Sequence, residues 1–237
     1  VMAYWWMLAP FAIQALLTAV FYGLTIAWAG SIYSPMCTLN TANAATWRVT
    51  RLTHLLHESA QPQAAEQGTQ AWWKAQARTL MNVIRPEYQA LLYGYQEGIG
   101  DSFGGLEVEL GCMDVVSIVF EDRSLEQLLF ESTGCQRAPG PRQTCLKDPP
   151  YYQVTHMGVD TMHAAVLTSS DLVTKLPDNQ TDLDTPQLQL VWEVGLQDLH
   201  GGMQKVHDYY RRSFSRGLSA VRTLHIVLLV LATLLTM

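Results

Sequence analysis

Residues 223–237 read TLHIVLLVLATLLTM, a run that carries no charged side chain. A helix rises 1.5 Å per residue, so a hydrocarbon core about 30 Å thick needs roughly 20 residues. The run is therefore apolar enough for a membrane but too short to cross one. We expect residues 221–237 to be the truncated beginning of a second transmembrane helix, and the chain to be a fragment of a longer protein.

The opposite end of the chain has the same character. No charged side chain precedes Arg48, and residues 4–29 are mostly aliphatic or aromatic. The stretch is too long for a signal peptide and lacks a basic start. We predict a first transmembrane helix and its exit within residues 1–33, with Gln14 facing another helix because an amide in hydrocarbon needs a partner. Aromatic side chains that favour the membrane interface flank this helix; they are Tyr4, Trp5, Trp6 and Tyr33.

The charged residues mark a polar domain between the apolar ends. All 15 Lys and Arg and all 21 Asp and Glu lie within residues 48–222, and we assign residues 34–220 to this domain. A net charge of −6 gives no support for nucleic-acid binding, which needs a basic face. The acidic run 101–131 is typical of a solvated face, and the alternative is a surface for a cation or a basic partner.

Two signals disagree on the side of the membrane that the domain occupies. The sequon Asn179-Gln180-Thr181 and four cysteines favour the outside. Long domains are translocated largely regardless of charge, so we expect an integral membrane protein whose middle domain is extracellular or lumenal and glycosylated at Asn179. The opposing signal is a group of arginines that favours the cytoplasm; they are Arg211, Arg212, Arg216 and Arg222.

The four cysteines allow three pairings. Cys135 and Cys145 enclose a Pro- and Gly-rich loop, which a disulfide would stabilise by on the order of 2–3 kcal/mol. We predict this bond, and its formation leaves Cys37 to pair with Cys112. None of the cysteines has the C-x-x-C spacing of a zinc site, and buried free thiols are the alternative.

Apolar periodicity indicates a helical middle region. Pro86 lacks an amide hydrogen, which predicts a break or kink there. Residues 115–120 (VVSIVF) fit either a strand or a short buried helix. The predicted helices cover residues 46–59, 71–84, 88–95, 124–134 and 151–176. Candidate core residues in the first two are Trp47, Leu52, Leu55, Leu56, Trp72, Leu80, Val83 and Ile84.

The last predicted helix is the longest. Thr185 and Pro186 form a helix start, and apolar residues then recur every three or four positions as far as the membrane. The predicted fold is therefore all-α: two transmembrane helices bracket an extracytoplasmic helical bundle, and a continuous helix over residues 186–237 enters the membrane. Gly195, Gly201 and Gly202 weaken this helix. Close packing is the favoured explanation, and a hinge at Gly201 and Gly202 is the alternative.

No strong catalytic motif is present, and we predict neither a cofactor nor a bound metal. Two histidine-bearing helix faces could form a metal site if they met, although such histidines are more often exposed or hydrogen-bonded. Asp178, Asp182 and Asp184 lack the spacing of a calcium loop. The two faces consist of His156, Asp160 and His163, and of His200 and His207. Adjacent aromatic pairs are the ligand-binding candidates, with core packing as the alternative: Trp72, Trp73, Tyr151, Tyr152, Tyr209 and Tyr210.

Four stretches resemble algal relatives of the tiny macrocysts protein B family. They are LLYGYQ (91–96), DPPYYQVTHMGVDTM (148–162), LVWEVGLQDLHGGMQ (190–204) and LHIVLLVLATLL (224–235). The resemblance implies a large polytopic membrane protein, often with a PAS-type sensory region after the membrane part. It implies no functional residues.

Three functions fit these patterns. The first is a non-catalytic sensor- or receptor-like domain of a larger polytopic membrane protein, which relays binding through the 186–237 helix. The second is a structural subunit in a multi-protein membrane complex, and the third is a metal-assisted membrane enzyme. The expected partners are lipid and other transmembrane helices of the same or partner chains, with a homo-oligomer as one option and no nucleic acid.

Overall fold

The computed structural model describes residues 2–61, 69–94, 123–137 and 151–236. These residues are almost entirely helical, and none of them forms a strand, so the all-α prediction is confirmed. The ambiguous stretch 115–120, the acidic run between 101 and 122, and Cys112 and Cys145 lie outside the described residues.

Helix α1 runs over Met2–Ser59 and contains both Pro10 and Pro35. The separate helices predicted at 4–29 and 46–59 are therefore parts of one element. A proline removes a single backbone hydrogen bond, which a long helix can lose without ending. Leu52, Leu55 and Leu56 are buried as expected, whereas Trp47 is 59% exposed.

Helix α2 runs over Gln70–Tyr93, with Thr69 as its N-cap. The predicted break at Pro86 is wrong, because the helix continues through it. Glu87, Tyr88 and Leu91 are buried directly after the proline, and their packing holds this turn helical. Of the predicted core residues, Ile84 is buried, Leu80 and Val83 are half-buried, and Trp72 is exposed.

Helix α3 runs over Arg123–Glu126 and continues as a π-helical turn over Gln127–Glu131. Helices α4 (Tyr151–Thr155) and α5 (Gly158–Lys175) follow, where one helix was predicted. The break occurs because Gly158 has φ of 84° and donates its N–H to the Ser132 carbonyl at 3.0 Å. A Cβ at this position would lie 2.3 Å from the Leu129 carbonyl oxygen, so only glycine fits.

A short 3₁₀ turn, Asp178–Gln180, precedes the longest helical stretch of the C-terminal half. This stretch consists of α6 (Pro186–Leu190), a π-helical segment (Val191–Leu199) and α7 (His200–Thr236). The prediction of continuous helix is confirmed within the described residues, including Gly201 and Gly202. The nine-residue π-helical segment is not apparent from the apolar spacing.

The chain divides into two compact units, 37–209 and 1–36 with 210–237. The 37–209 unit buries a core drawn from all its long helices, which includes Leu52, Leu56, Ile84, Leu91, Leu129, Met162, Leu188 and Leu199. In the other unit most large apolar side chains are exposed. Both the first helix and the 186–234 stretch are long and apolar enough to cross a membrane, and no residue in the apolar window of either is buried.

Candidate functional site

The segment 132–137, which we name the clamp segment, binds the long C-terminal helical stretch through polar side chains. Arg137 donates from Nε to Asp198 at 2.9 Å, and its terminal nitrogen lies 3.4 Å from Glu193. The Gln136 side-chain amide oxygen, Oε1, accepts a hydrogen bond from Lys205 Nζ at 2.8 Å. The clamp segment therefore contacts two carboxylates of the π-helical segment, those of Glu193 and Asp198, and the ammonium group of Lys205 in α7.

Asp198 is the centre of this site. Its side chain is completely buried, and burial raises the pKa of its carboxyl group, while the hydrogen bond from Arg137 and the Arg137 charge oppose the rise. A buried carboxylate that loses its cation is costly, so this contact resists separation. π-Helical turns are uncommon and often mark functional positions, and Asp198 lies within one.

Lys74 makes a second buried polar contact. Its ammonium group donates to the Leu176 carbonyl at 2.9 Å, to Asp178 at 2.8 Å and to the Thr181 hydroxyl at 2.9 Å. Thr181 is the hydroxyl residue of the predicted sequon and is buried, whereas Asn179 is exposed. The position of Asn179 is thus compatible with a glycan, and the glycan itself stays a prediction.

A third contact stacks His163 against Tyr88, with ring centroids 3.7 Å apart. Burial lowers the pKa of His163 to about 3, so the imidazole is neutral at physiological pH. Burial, followed by the nearby Asp160 carboxylate, raises the pKa of the Tyr88 hydroxyl. The pair is an uncharged aromatic contact between α2 and α5.

The predicted ligand-binding aromatics lie in different environments. Trp72 and Trp73 meet edge to face at 4.7 Å near the start of α2. Tyr152 is exposed and stacks on His156. Tyr151 and Tyr209 are half-buried, and Tyr210 is fully buried. None of the six lines either of the two cavities described below, and their ligand-binding role stays a prediction.

The two predicted histidine faces do not form a metal site in the described part of the chain, where no three His, Cys, Asp or Glu side chains are grouped for a metal. His163 is stacked on Tyr88, and His156 stacks on Tyr152. His200 instead meets the Thr50 hydroxyl at 3.2 Å, and His207 lies near Asp208.

Of the four cysteines, Cys37 and Cys135 lie within the described residues. No disulfide joins two described residues, since their predicted partners Cys112 and Cys145 lie outside them. The pairing therefore stays a prediction.

Two glycines of the long stretch, Gly195 and Gly202, pack closely. A Cβ at Gly195 would lie 2.8 Å from the Thr53 hydroxyl, and one at Gly202 would lie 2.7 Å from a Val159 methyl. This favours close packing over a hinge at Gly202. Whether Gly201 and Gly202 also act as a hinge stays untested.

Two cavities lie within the 1–36 and 210–237 unit. One, of about 300 Å³, is lined by residues that include Trp28, Phe214 and Gly217. The other, of about 680 Å³, lies between α1 and α7 and is lined by Gln14, His225 and apolar side chains.

No family model, curated protein or solved structure matches this chain. Its function is therefore inferred from the geometry above. Sequence reasoning missed Lys74, Arg137 and Asp198, because each pairs with residues about 60 or more positions away and no local pattern marks the partner.

Proposed function

We propose that this chain is a non-catalytic, sensor-like helical domain of a larger polytopic membrane protein, with the 37–209 unit outside the cytoplasm. Lipid is the solvent that best suits the 1–36 and 210–237 unit. Its exposed apolar side chains, such as Leu16, Ile26 and Leu229, would form a very large patch on a water-soluble protein. The resemblance to tiny macrocysts protein B relatives supports the same proposal.

The observation that carries the relay is the helical continuity of residues 186–236. The first part of this stretch buries Leu188, Val194, Leu199 and Met203 in the core of the 37–209 unit. The last part bears the exposed apolar side chains. A shift of the first part by 1–2 Å, as ligands commonly cause, would therefore be felt along the same helix.

The clamp segment is the element that we propose to start this shift. It holds the π-helical segment through Arg137 and the start of α7 through Gln136. A ligand or partner that pulls the clamp segment would release Asp198 and allow the π-helical segment to tighten into α-helix. A pivot at Gly201 and Gly202 is the alternative. An Ala substitution at Gly202 would not test it cleanly, because the added Cβ would lie 2.7 Å from a Val159 methyl.

Spin-label distances in the detergent-solubilised protein test the relay. Labels are introduced as Leu172→Cys and Leu229→Cys, both at exposed positions. Replacing Arg137 by Ala should move the distance distribution by a few ångströms, whereas Lys175→Ala, which removes an exposed ion pair, should leave it unchanged. An unchanged distribution with Arg137→Ala would refute the clamp-driven relay.

Three further measurements test location and class. An impermeant amine reagent should modify the exposed Lys175 in intact cells, and Asn179→Gln should remove an endoglycosidase-sensitive mass that Thr181→Ser retains. Labelling only after permeabilisation would place the unit in the cytoplasm and contradict the proposal.

Purification of the full-length protein as a sole component supports a sensor, while obligate partner subunits would favour the assembly role.

A further inference from the structure

The larger cavity of the 1–36 and 210–237 unit has the form of a ligand site. It has a volume of about 680 Å³ and extends along α1 from Pro10 to Phe21, which corresponds to about 16 Å of helix. Small-molecule sites are mostly apolar clefts of this size with a few polar groups that orient the ligand. This cavity has two such groups, Gln14 and His225.

Gln14 contributes an unsatisfied carboxamide. Its backbone carbonyl accepts from Thr18 at 2.8 Å, but its side chain makes no hydrogen bond to any residue that the structure describes. An amide without a partner in an apolar medium is costly. A molecule in the cavity that both donates to and accepts from this group would remove that cost.

His225 contributes an acceptor at the other end. The Thr25 hydroxyl lies 2.8 Å from the Phe21 carbonyl, to which it donates, and 3.0 Å from His225 Nε2. A hydroxyl has a single proton, so with that proton on the carbonyl Nε2 is the donor and Nδ1 is left as an acceptor. His225 meets the Thr25 hydroxyl, and Thr25 and Gln14 are eleven positions apart on α1, so this hydroxyl and the Gln14 carboxamide are separated by about 16 Å along the helix.

From this arrangement we infer that the cavity binds an elongated, uncharged lipid with a hydroxyl group at each end, the chemistry of a side-chain-hydroxylated sterol. A hydroxyl donates to Nδ1 and can both donate to and accept from the Gln14 carboxamide. An ionised carboxylate only accepts, and burying its charge is costly. The average cross-section of about 40 Å² exceeds that of one extended hydrocarbon chain and suits a fused-ring body. The inference rests on the proposed membrane location.

Competition against a photoreactive cholesterol analogue tests the inference in membranes that contain the protein. Labelling should be saturable, and side-chain-hydroxylated cholesterol should displace the analogue about tenfold better than cholesterol, the value of one added hydrogen bond. Gln14→Leu, which removes one of the two polar partners, should weaken displacement by side-chain-hydroxylated cholesterol about tenfold. Leu17→Trp, which fills the cavity, should abolish saturable labelling, whereas Leu16→Trp, at an exposed neighbour outside the lining, should preserve it.

Several outcomes would overturn the inference. Labelling that cannot be competed, or that Leu16→Trp and Leu17→Trp reduce equally, would mean contact with bulk lipid only. Equal displacement by the two sterols would contradict the two-ended site. If alkaline carbonate released the protein from membranes, the membrane location itself would be wrong; if the protein stayed and labelling were not saturable, the sterol site alone would be wrong.

Discussion

The two units of this chain place leucine in opposite environments. In the 37–209 unit Leu52 and Leu56 are fully buried, whereas in the other unit Leu16 and Leu229 are 66% and 68% exposed. The first unit also encloses the charged groups of Lys74 and Asp198, and both have partners. The two units therefore differ in where they place apolar side chains, and each of the following predictions tests or refines this contrast.

The largest expected effect is in the buried polar contacts of the 37–209 unit. Arg137→Ala should lower the free energy of unfolding by about 3–5 kcal/mol, because it leaves the buried Asp198 carboxylate without its cation. Denaturant unfolding in detergent micelles measures the change. Lys175→Ala is the control: it removes an exposed ion pair and should cost less than about 1 kcal/mol. Similar losses in both variants would show that burial does not distinguish the two contacts.

The same substitution in both units should have different effects. Leu229→Asp should reduce the membrane-inserted fraction, since replacing Leu by Asp in a membrane helix costs about 3–4 kcal/mol. Leu172→Asp, at an exposed position of the 37–209 unit, should insert normally. Carbonate extraction of both proteins gives the comparison. Normal insertion of the Leu229→Asp protein would remove the main distinction between the units.

A smaller loss is expected where α4 ends and α5 begins. Gly158→Ala should destabilise the 37–209 unit by about 2–3 kcal/mol, through the left-handed backbone conformation and the clash with the Leu129 carbonyl. Gly134→Ala provides the matched control, because a Cβ there meets nothing within 4 Å. Thermal unfolding of the two variants in the same detergent should separate them clearly, and equal midpoints would refute the strain.

The smallest effect concerns pH. The unfolded chain protonates His163 near pH 6.5, but the folded chain does so only near pH 3, so the unfolded state binds more protons between these values. Stability should therefore fall by up to about 1.4 kcal/mol per unit as the pH drops through this window. His163→Phe keeps the ring against Tyr88 and should remove this part of the slope. Unfolding measured at pH 6.5 and pH 5 tests it; parallel slopes would mean that His163 does not contribute.

Sequence periodicity predicted helices well and their interruptions poorly. The apolar residues that recur every three or four positions predict the long helical stretch 186–236. This spacing does not distinguish α-helix from the π-helical Val191–Leu199. Pro86 was expected to break α2 and does not, whereas Gly158 breaks the 151–176 stretch through a backbone conformation that its neighbours do not signal. Trp47 and Trp72 were placed in the core by helical phase alone, which cannot show which face meets a partner.

The candidate site was less predictable than the fold. Arg137 and Asp198 are 61 positions apart, and Lys74 and Thr181 are 107 apart. Such pairs form only after tertiary packing has chosen the neighbours, so no local pattern identifies them. The residues that sequence analysis did select, such as the adjacent aromatic pairs, have distinctive chemistry but do not converge in space.

If Asn179 is glycosylated as proposed, the ammonium group of Lys74 has a consequence for biosynthesis. Once Lys74 donates to the Thr181 hydroxyl, Thr181, which the transferase must recognise together with Asn179, is buried and inaccessible. An oligosaccharide would then have to be attached while the nascent chain is still open, and a molecule that folds first would keep a bare asparagine. The fraction of glycosylated molecules would therefore depend on the rate of oligosaccharide transfer relative to the rate at which this turn folds.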